Sequence, residues 1–282
     1  MKKGLVLEGG AMRGLFTAGV IDVLMENKIT FDGAIGVSAG ACFGCNYKSN
    51  QIGRALRYNI KYCKDKRYCS FYSLITTGDL YGADFCYRQI PEKLDIFDKE
   101  AFIKNPMEFY TVCSDVETGE AVYTLMDVTE ENYLEWVRAS ASLPLVSRIV
   151  EINGRKYLDG GLTDSIPLKQ FQKMGYEKNI VILTQPKDYV KTSNKAMPLI
   201  KLVLKKYPKI IDAIKNRHIV YNETTDYIKE QEKEGNTLII CPDSSLPVKR
   251  TENDPEKLQL VYNEGRKVAL KMLSEIKEFL KN

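Results

Sequence analysis

The chain has 282 residues, of which 44% are hydrophobic and 28% charged, and it carries a formal net charge of +4. These values exclude a disordered or low-complexity chain, and so small a charge does not call for a nucleic-acid partner. No apolar run is long enough for a transmembrane helix or a secretory signal, and seven irregularly spaced cysteines indicate reduced thiols, so we expect a cytoplasmic protein.

The first predicted elements are a buried strand at Lys3 to Leu7 and a helix from Leu15 to about Glu26. They are joined by the glycine-rich turn Glu8-Gly9-Gly10-Ala11-Met12-Arg13-Gly14. Such a turn can direct successive backbone N–H groups at one point, and the helix adds the positive end of its dipole. The turn lacks the Lys-Ser or Lys-Thr of a Walker loop and no GxGxxG occurs, so nucleotide binding is the weaker alternative.

A second strand, turn and helix follow at Phe31 to about Tyr47 and contain the GxSxG pattern Gly36-Val37-Ser38-Ala39-Gly40. In this pattern a sharp strand-to-helix turn exposes the serine hydroxyl, so Ser38 is the candidate nucleophile. Gly36 and Gly40 lack side chains and leave room for that elbow. Two such units in close succession predict parallel strands, which would place the first glycine turn and Ser38 at the same sheet edge.

The middle of the chain is predicted to mix short helices and strands. Helices are expected over residues 51–63, 84–90 and 130–142, and strands over residues 108–113, 121–125, 149–152 and 156–158. The last two strands bracket Asn153-Gly154, a strong hairpin signal, and lead into Asp159-Gly160-Gly161.

The C-terminal part is predicted to be more helical and basic. A helix near Ser165 and a strand over residues 179–183 precede a helical region over residues 196–234, a last strand over 237–241 and a helix from Pro255. There is no internal repeat and no linker-like composition. We therefore expect one α/β domain over residues 1–282, with a motif-bearing core at about 3–167 and a helical, basic part at about 196–282.

A serine nucleophile needs a base, and the chain has a single histidine, His218. It lies in Lys215-Asn216-Arg217-His218, which we interpret as a solvated basic helix face, so an exposed helix residue is favoured over a catalytic one. Asp159 is the better candidate because it ends a predicted strand and precedes two glycines that allow another segment to approach. Either partial burial raises its pKa above the usual value of about 3.9, or the oxyanion donors are the main groups that polarise the Ser38 hydroxyl. Asp164 is interpreted as a helix cap before Pro167.

These motifs, in this order and spacing, resemble the three blocks of patatin-like phospholipases: residues 9–14, residues 36–40 and Asp159-Gly160-Gly161. Residues 139–144 and 114–119 resemble the family's intervening segments, and the resemblance spans about residues 3–167. It implies a three-layer α/β/α fold with a mainly parallel sheet and a Ser-Asp dyad without histidine. Ser38 would be the nucleophile, Asp159 the base, and Gly9, Gly10, Ala11 and Arg13 the oxyanion-hole block. Ala11 departs from the family pattern, which often has glycine at this position. Its methyl group disfavours a positive φ.

The resemblance implies hydrolysis of fatty-acyl esters of phospholipids or lysophospholipids through an acyl-enzyme on Ser38. The alternatives are acyl transfer at the same site and a non-catalytic lipid- or nucleotide-binding module. No cofactor is expected, and the Cys42 and Cys45 pair lacks the second ligand pair of a zinc site. The pattern does not predict the oligomeric state.

Two basic stretches are interpreted first as solvated helices. One interleaves Arg54 and Arg57 with tyrosines up to Tyr68, and the other runs from Lys195 to Arg217. For an enzyme that acts on lipids, both could contact an anionic membrane surface, with Leu199, Leu202, Val203 and Leu204 turned toward acyl chains.

Overall fold

The strands form an eight-stranded sheet in the computed structural model, which describes residues 1–281. They are β1 (Lys2–Leu7), β2 (Gly33–Val37), β3 (Glu108–Asp115), β4 (Ala121–Leu125), β5 (Val150–Ile152), β6 (Arg155–Asp159), β7 (Tyr176–Ile182) and β8 (Thr237–Ile240). The order is β5-β6-β3-β2-β1-β7-β8, with β4 paired to β3. Five neighbouring strands are parallel: β3, β2, β1, β7 and β8. The other three strands, β4, β5 and β6, pair antiparallel with their neighbours. The predicted mainly parallel sheet is confirmed.

Helices cover both faces of the sheet. They are α1 (Gly14–Glu26), α2 (Ala39–Lys48), α3 (Arg54–Tyr62), α4 (Phe71–Thr77), α5 (Lys99–Lys104), α6 (Tyr133–Ser140), α7 (Leu168–Lys173), α8 (Met197–Val203), α9 (Pro208–Lys233), α10 (Pro255–Lys271) and α11 (Leu273–Lys281), with a π-helical segment at Phe85–Leu94. Alternate strand residues face opposite ways, so Leu5 and Leu7 pack with α1, α2 and α10, whereas Val6 packs with α7 and α9. The three-layer α/β/α fold is therefore confirmed.

Two short helices, α4 and α5, were not predicted. They have seven and six residues, too few to display a helical period, and they follow irregular segments. Their capping signals are nevertheless local. Ser70 accepts a hydrogen bond from the Ser73 N–H, and Asp98 accepts one from the Ala101 N–H.

Along one edge, the central strand β3 pairs first with β2 and then with β6. Residues Glu108–Val112 pair with β2, and Cys113–Asp115 pair with β6. The last pair with β2 joins Val37 to Val112, and the next position of β3, Cys113, pairs with Asp159. Ser38, which follows Val37, is thereby brought beside Asp159. A side chain at Gly160 would overlap the Val112 carbonyl oxygen, so this junction requires glycine.

The first basic stretch is solvated on one face only, because Arg57 and the lysines are exposed as expected whereas Arg54 and the tyrosines belong to the core. Arg54, Tyr58, Tyr62 and Tyr68 are all buried. The Arg54 guanidinium donates to the Asn46 side-chain oxygen and to the Asp95 carbonyl. Sequence pattern alone did not reveal these partners, because they lie in α2 and in the loop after the π-helical segment.

The C-terminal helix α10 packs directly on α1. A Cβ atom on Gly265 would overlap the Phe16 carbonyl oxygen, and one on Gly19 would overlap that of Tyr262. The Tyr262 hydroxyl also donates to the buried Asp22 carboxylate at 2.6 Å. Close backbone contact and a buried hydrogen bond therefore hold α10 against the first helix of the chain.

Candidate active site

Ser38 occupies a sharp turn between β2 and α2. Its φ of 55° and ψ of −120° are unusual for a residue with a side chain, a form of strain that concentrates at functional sites. A Cβ atom on Gly36 would lie 2.6 Å from the Gly40 carbonyl oxygen, and one on Gly40 would overlap that of Leu7. Both glycines predicted for the elbow are thus required by close backbone approach. The N-terminus of α2 points its dipole at the serine.

The first glycine turn lies against this elbow. A Cβ atom on Gly9 would be 2.8 Å from the Cβ of Ser38, so the turn passes directly beside the hydroxyl group. Within residues 1–281, the N–H groups of Gly9, Gly10 and Ala11 donate to no backbone carbonyl. Ala11 has φ of 50°, so the expected restriction by its methyl group is overcome and the strained conformation is present. The turn offers free amides next to Ser38.

Asp159 is buried beside Ser38 at the end of β6. Its Oδ1 atom accepts a hydrogen bond from the Gly161 N–H at 2.8 Å. Burial raises the pKa of this carboxyl, while the Arg217 charge, the Ser38 side chain and the Gly161 amide partly offset the rise. A carboxylate with a raised pKa, in contact with a serine hydroxyl, is a better proton acceptor than an exposed aspartate.

The loop after α6 connects the serine and the aspartate. The Ser38 N–H donates to the Oγ of buried Ser140 at 2.9 Å, and the Asp159 N–H donates to the Ser142 carbonyl at 2.8 Å. In the sequence, this segment is marked only by its resemblance to a family segment. No local pattern marks a serine whose partner is 102 residues away, so its positioning role was missed.

A small polar cavity of about 40 Å³ brings the predicted groups together. Of the eight predicted site residues, six line it: Gly9, Gly10, Ala11, Arg13, Ser38 and Asp159. Gly36 and Gly40 lie behind the elbow. Four further charged residues in the wall were not predicted as part of the site: Glu8, Lys191, Arg217 and Arg250. Of these, only Glu8 stands next to a motif, at the end of β1.

An apolar cavity of about 240 Å³ opens on the other side of Ser38. Its wall is largely aromatic and aliphatic, and it comes mainly from α2, α3, the π-helical segment and the loop after α6. It includes Phe43, Tyr58, Leu80, Tyr87 and Ile90. Ala11, Ser38, Leu143 and Arg250 border both cavities. The serine therefore lies at the boundary between a polar and an apolar space.

Other residues considered from the sequence lie elsewhere. His218 is on α9, with its Nδ1 atom 3.1 Å from the Lys215 carbonyl oxygen, and it lines neither cavity. Its neighbour Arg217 is not solvated as expected, because it turns inward and donates to the Gly161 carbonyl. Asp164 does not cap α7. Its carboxylate instead accepts the Tyr123 hydroxyl at 2.8 Å.

The cysteine pair after Ser38 is not poised for reaction. Burial raises the pKa of Cys42 to about 12 and that of Cys45 to about 11, so both remain thiols. Among residues 1–281, no group of three or more His, Cys, Asp or Glu side chains is placed to hold a metal ion. Within the same residues, none of the helices combines the length and the apolar character that a membrane crossing requires.

Comparison with known proteins identifies two matching family models. One, described as patatin-like phospholipase, matches residues 5–171, and a second, described as a domain of unknown function, matches residues 207–281. The uncharacterized protein YjjU of Escherichia coli is 31% identical over 185 residues, which are 64% of this chain and 52% of that protein. Lysophospholipase NTE1 of Meyerozyma guilliermondii is 28% identical over 64% of this chain and 12% of its own length. A probable lipid hydrolase, 463L of Invertebrate iridescent virus 6, is 24% identical over 63% of this chain and 66% of its own length.

Proposed function

Because this chain belongs to the patatin-like phospholipase family, we propose that it is a lipid acyl hydrolase that cleaves fatty-acyl esters of phospholipids or lysophospholipids. The observation that carries the proposal is the convergence of Ser38, Asp159 and the free amides of the glycine turn on one cavity, beside a second cavity that is apolar. Nucleophile, base and oxyanion donors are the three parts that acyl transfer needs.

In the first half of the reaction, the Ser38 hydroxyl attacks the ester carbonyl while its proton passes to the Asp159 carboxylate. The amides of Gly9, Gly10 and Ala11 supply hydrogen-bond donors for the oxygen that gains negative charge. Collapse of the tetrahedral intermediate breaks the ester bond, and the proton moves from Asp159 to the departing alkoxide. The acyl group is left on Ser38.

In the second half, a water molecule gives a proton to Asp159 and attacks the acyl-enzyme. The same amides stabilise the second oxyanion, and the proton returns to the Ser38 oxygen as the fatty acid leaves. The strained elbow and the contacts of Ser140 and Ser142 keep these groups aligned through both steps.

The apolar cavity is the proposed binding site for the acyl chain. It begins at Ser38, and a second apolar space of about 60 Å³ shares Cys42, Tyr58 and Tyr87 with its wall. Burying methylene groups there contributes roughly 0.8 kcal/mol each. The cavity thus favours a fatty-acyl ester over a short one.

Contact with an anionic membrane surface is also proposed. On α8, Leu199, Leu202 and Val203 are half to two-thirds exposed, and Lys201 lies among them. Leu204 was expected to share this surface, but it is buried. An exposed apolar patch with lysines is the composition that binds the interface of an anionic bilayer.

The test is hydrolysis of a panel of acyl esters and phospholipids by wild-type protein and matched variants. Ser38→Ala and Asp159→Asn should each abolish turnover, and a fluorophosphonate should label Ser38 alone. Asp164→Asn is the matched control, since that buried carboxyl lies outside both cavities. His218→Ala should retain near-normal activity.

Several outcomes would reject the proposal. Full activity of Ser38→Ala, labelling at another serine, or binding of lipid without turnover at any chain length would each contradict it. Product analysis with an added alcohol separates hydrolysis from acyl transfer, since a transferase would form a new ester in place of free fatty acid.

A further inference from the structure

Four cationic side chains converge on the polar cavity from separate parts of the chain. Arg13 precedes α1, Lys191 follows β7, Arg217 is on α9, and Arg250 lies between β8 and α10. Two carboxylates, Glu8 and Asp159, share the wall. Four cations against two carboxylates leave an excess of two positive charges around a space of about 40 Å³.

The two carboxylates are already engaged by other groups. Glu8 accepts the Thr184 N–H at 2.6 Å and the Tyr221 hydroxyl at 2.8 Å, and Asp159 accepts the Gly161 N–H. Within residues 1–281, none of the four cations lies within 4.0 Å of a carboxylate oxygen. In addition, the Nε atom of Arg13 is buried and has no hydrogen-bond partner. The wall therefore contains cationic groups that no carboxylate neutralises by direct contact, and one of them has a buried donor without an acceptor.

Two of the cations, Lys191 and Arg217, are held in place before any ligand arrives. Asn222 of α9 clamps the Lys191 backbone through two hydrogen bonds, and the Lys191 ammonium lies 4.0 Å from the centre of the Tyr221 ring. Arg217 is fixed by the Gly161 carbonyl and, at 3.5 Å, by the Ser165 hydroxyl. Burial, together with the neighbouring Arg217 charge, lowers the pKa of Lys191 to about 8. Holding like charges together in this way is costly without a bound anion.

We propose that Arg13, Lys191, Arg217 and Arg250 form a site for a phosphate group, and that the substrate is an acyl ester carrying a phosphate monoester. The inference rests on the proposed hydrolase function. A phosphate monoester carries nearly two negative charges at neutral pH, which matches the excess of the wall. A water molecule needs about 10–15 Å³ of such volume, so the cavity holds a compact group of a few oxygen atoms.

The position of the site also fits a single ligand. Arg250 and Ser38 border both cavities. A molecule with its phosphate among the cations and its acyl chain in the apolar cavity would therefore cross the nucleophile. Arginine binds phosphate oxygens in pairs, and such charged hydrogen bonds are among the stronger ones in proteins.

The test compares decanoylglycerol phosphate with decanoylglycerol, which differ only in the phosphate. The readout is the ratio of their kcat/KM values, and wild-type protein should prefer the phosphate ester. Lys191→Gln and Arg250→Gln should each lower the ratio about tenfold or more, because each removes a charged hydrogen bond. Lys249→Gln, a change at an exposed neighbour of Arg250, is the control and should leave the ratio unchanged. Arg250 is itself exposed, so its substitution should not disturb folding.

A second measurement uses inorganic phosphate as an inhibitor of decanoylglycerol hydrolysis. Competitive inhibition that weakens in Arg250→Gln supports the site. If phosphate competes but the phosphate ester is not preferred, the cavity binds free phosphate and the substrate assignment is overturned. An unchanged ratio in both variants, with Ser38→Ala inactive on both esters, rejects the phosphate site alone. Turnover by Ser38→Ala would instead reject the hydrolase proposal.

The pH dependence of the preference for the phosphate ester is an independent test of the site. The phosphate preference should fall as pH rises through about 8, since Lys191 loses its charge there. The other groups that face Lys191 are Arg13, Arg217, Arg250, Glu8, Tyr189 and Tyr221. The arginines keep their charge throughout this range. In Lys191→Gln the fall should be absent, and its persistence would contradict the assignment.

Discussion

In the proposed mechanism Asp159 must be charged to accept a proton from Ser38, yet it lies in a buried site. Desolvation disfavours the carboxylate, and Arg217, Ser38 and the Gly161 amide restore part of its stability. The net effect is a raised pKa. The same environment that makes Asp159 a stronger base therefore costs folding stability whenever the carboxyl is ionised.

We predict two pH effects from this carboxyl. Hydrolysis of a neutral ester should increase with pH as Asp159 loses its proton, with an apparent pKa above the usual value of about 3.9. Because the folded pKa is the higher one, the folded protein binds the proton more tightly, so its stability falls as pH rises through the interval between the unfolded and folded pKa values.

Thermal melts of wild-type protein and Asp159→Asn across the acid range check the second effect. The variant should gain stability relative to wild type as pH rises through that interval, although it is inactive. A fall in the stability of the variant relative to wild type as pH rises would contradict the raised pKa.

Ser140 is predicted to act as a positioning residue. Ser140→Ala leaves the Ser38 N–H without its partner and should lower kcat about tenfold with little change in KM. Ser142→Ala is the matched control, because Ser142 contacts Asp159 through its backbone carbonyl while its hydroxyl donates to the Arg138 carbonyl. Steady-state kinetics and melting temperatures separate the two roles: an equal loss of kcat in both variants would argue against positioning by the Ser140 hydroxyl.

Sequence reasoning was most informative for residues within short motifs. Ser38, Gly36 and Gly40 were predictable because the elbow needs small residues at fixed spacing, and the structure places all three as expected in the turn. Arg217 and Lys191 were not predictable, since they reach the cavity from a long helix and a loop with no motif. Their side-chain direction depends on packing that a single sequence does not specify.

At the scale of elements, α4 presents an apolar surface to solvent. Phe71, Tyr72 and Ile75 are 78%, 58% and 84% exposed. The helix follows basic Lys66 and Arg67 and is flanked by residues 68 and 80, both of which line the apolar cavity. An exposed apolar helix next to the apolar cavity is suited to contact with a lipid surface.

We predict that Phe71→Ser combined with Ile75→Ser weakens binding to anionic vesicles about tenfold or more. Burying each of these side chains in the interface would contribute about 1.5–3 kcal/mol. The control is Ile103→Ser on α5, which removes a 57% exposed isoleucine outside this surface. Vesicle sedimentation measures the effect, and equal binding by both proteins would place the membrane contact elsewhere.

The strand pattern was more predictable than the helix pattern. Buried parallel strands read as short apolar runs, and all eight were expected within about three residues of their observed bounds. Helices α4 and α5 were not predicted, because helices this short show no helical periodicity of apolar residues in the sequence. The tyrosines of α3 were expected at the surface because arginines and lysines lie between them in the sequence. In the structure their rings line cavities or are buried in the core.

At the scale of the whole molecule, the C-terminal region is integrated with the motif-bearing core. Helix α9 supplies Arg217 and Tyr221 to the polar cavity and its surroundings, and α10 covers α1. Arg266 also forms two hydrogen bonds with Glu26 of α1. We infer that the region matched by the second family model folds with the first as one cooperative unit.

This inference predicts a single unfolding transition and a strong effect of Gly265→Ala. The added methyl group meets the Phe16 carbonyl, and forced overpacking of this kind costs typically about 1–3 kcal/mol. Each kcal/mol lowers Tm by about 2–4 °C in domains of roughly this size. Asn263→Ala, at an exposed position of the same helix, is the control.

Calorimetry and circular dichroism measure the transition. Two separate transitions, or a Gly265→Ala variant as stable as Asn263→Ala, would show that α10 is not part of the cooperative core. A coincident loss of esterase activity and secondary structure on heating is the expected result.

The exchange of partners along β3 has a practical consequence for protein engineering. The separation of Ser38 and Asp159 depends on two successive residues of one strand, Val112 and Cys113, and not on the long excursion between α2 and β3. That excursion furnishes eight of the twenty residues that line the apolar cavity. Under the proposed function, substitutions in the excursion at residues that line the apolar cavity offer a route to altered acyl-chain selectivity without rebuilding the pair of Ser38 and Asp159.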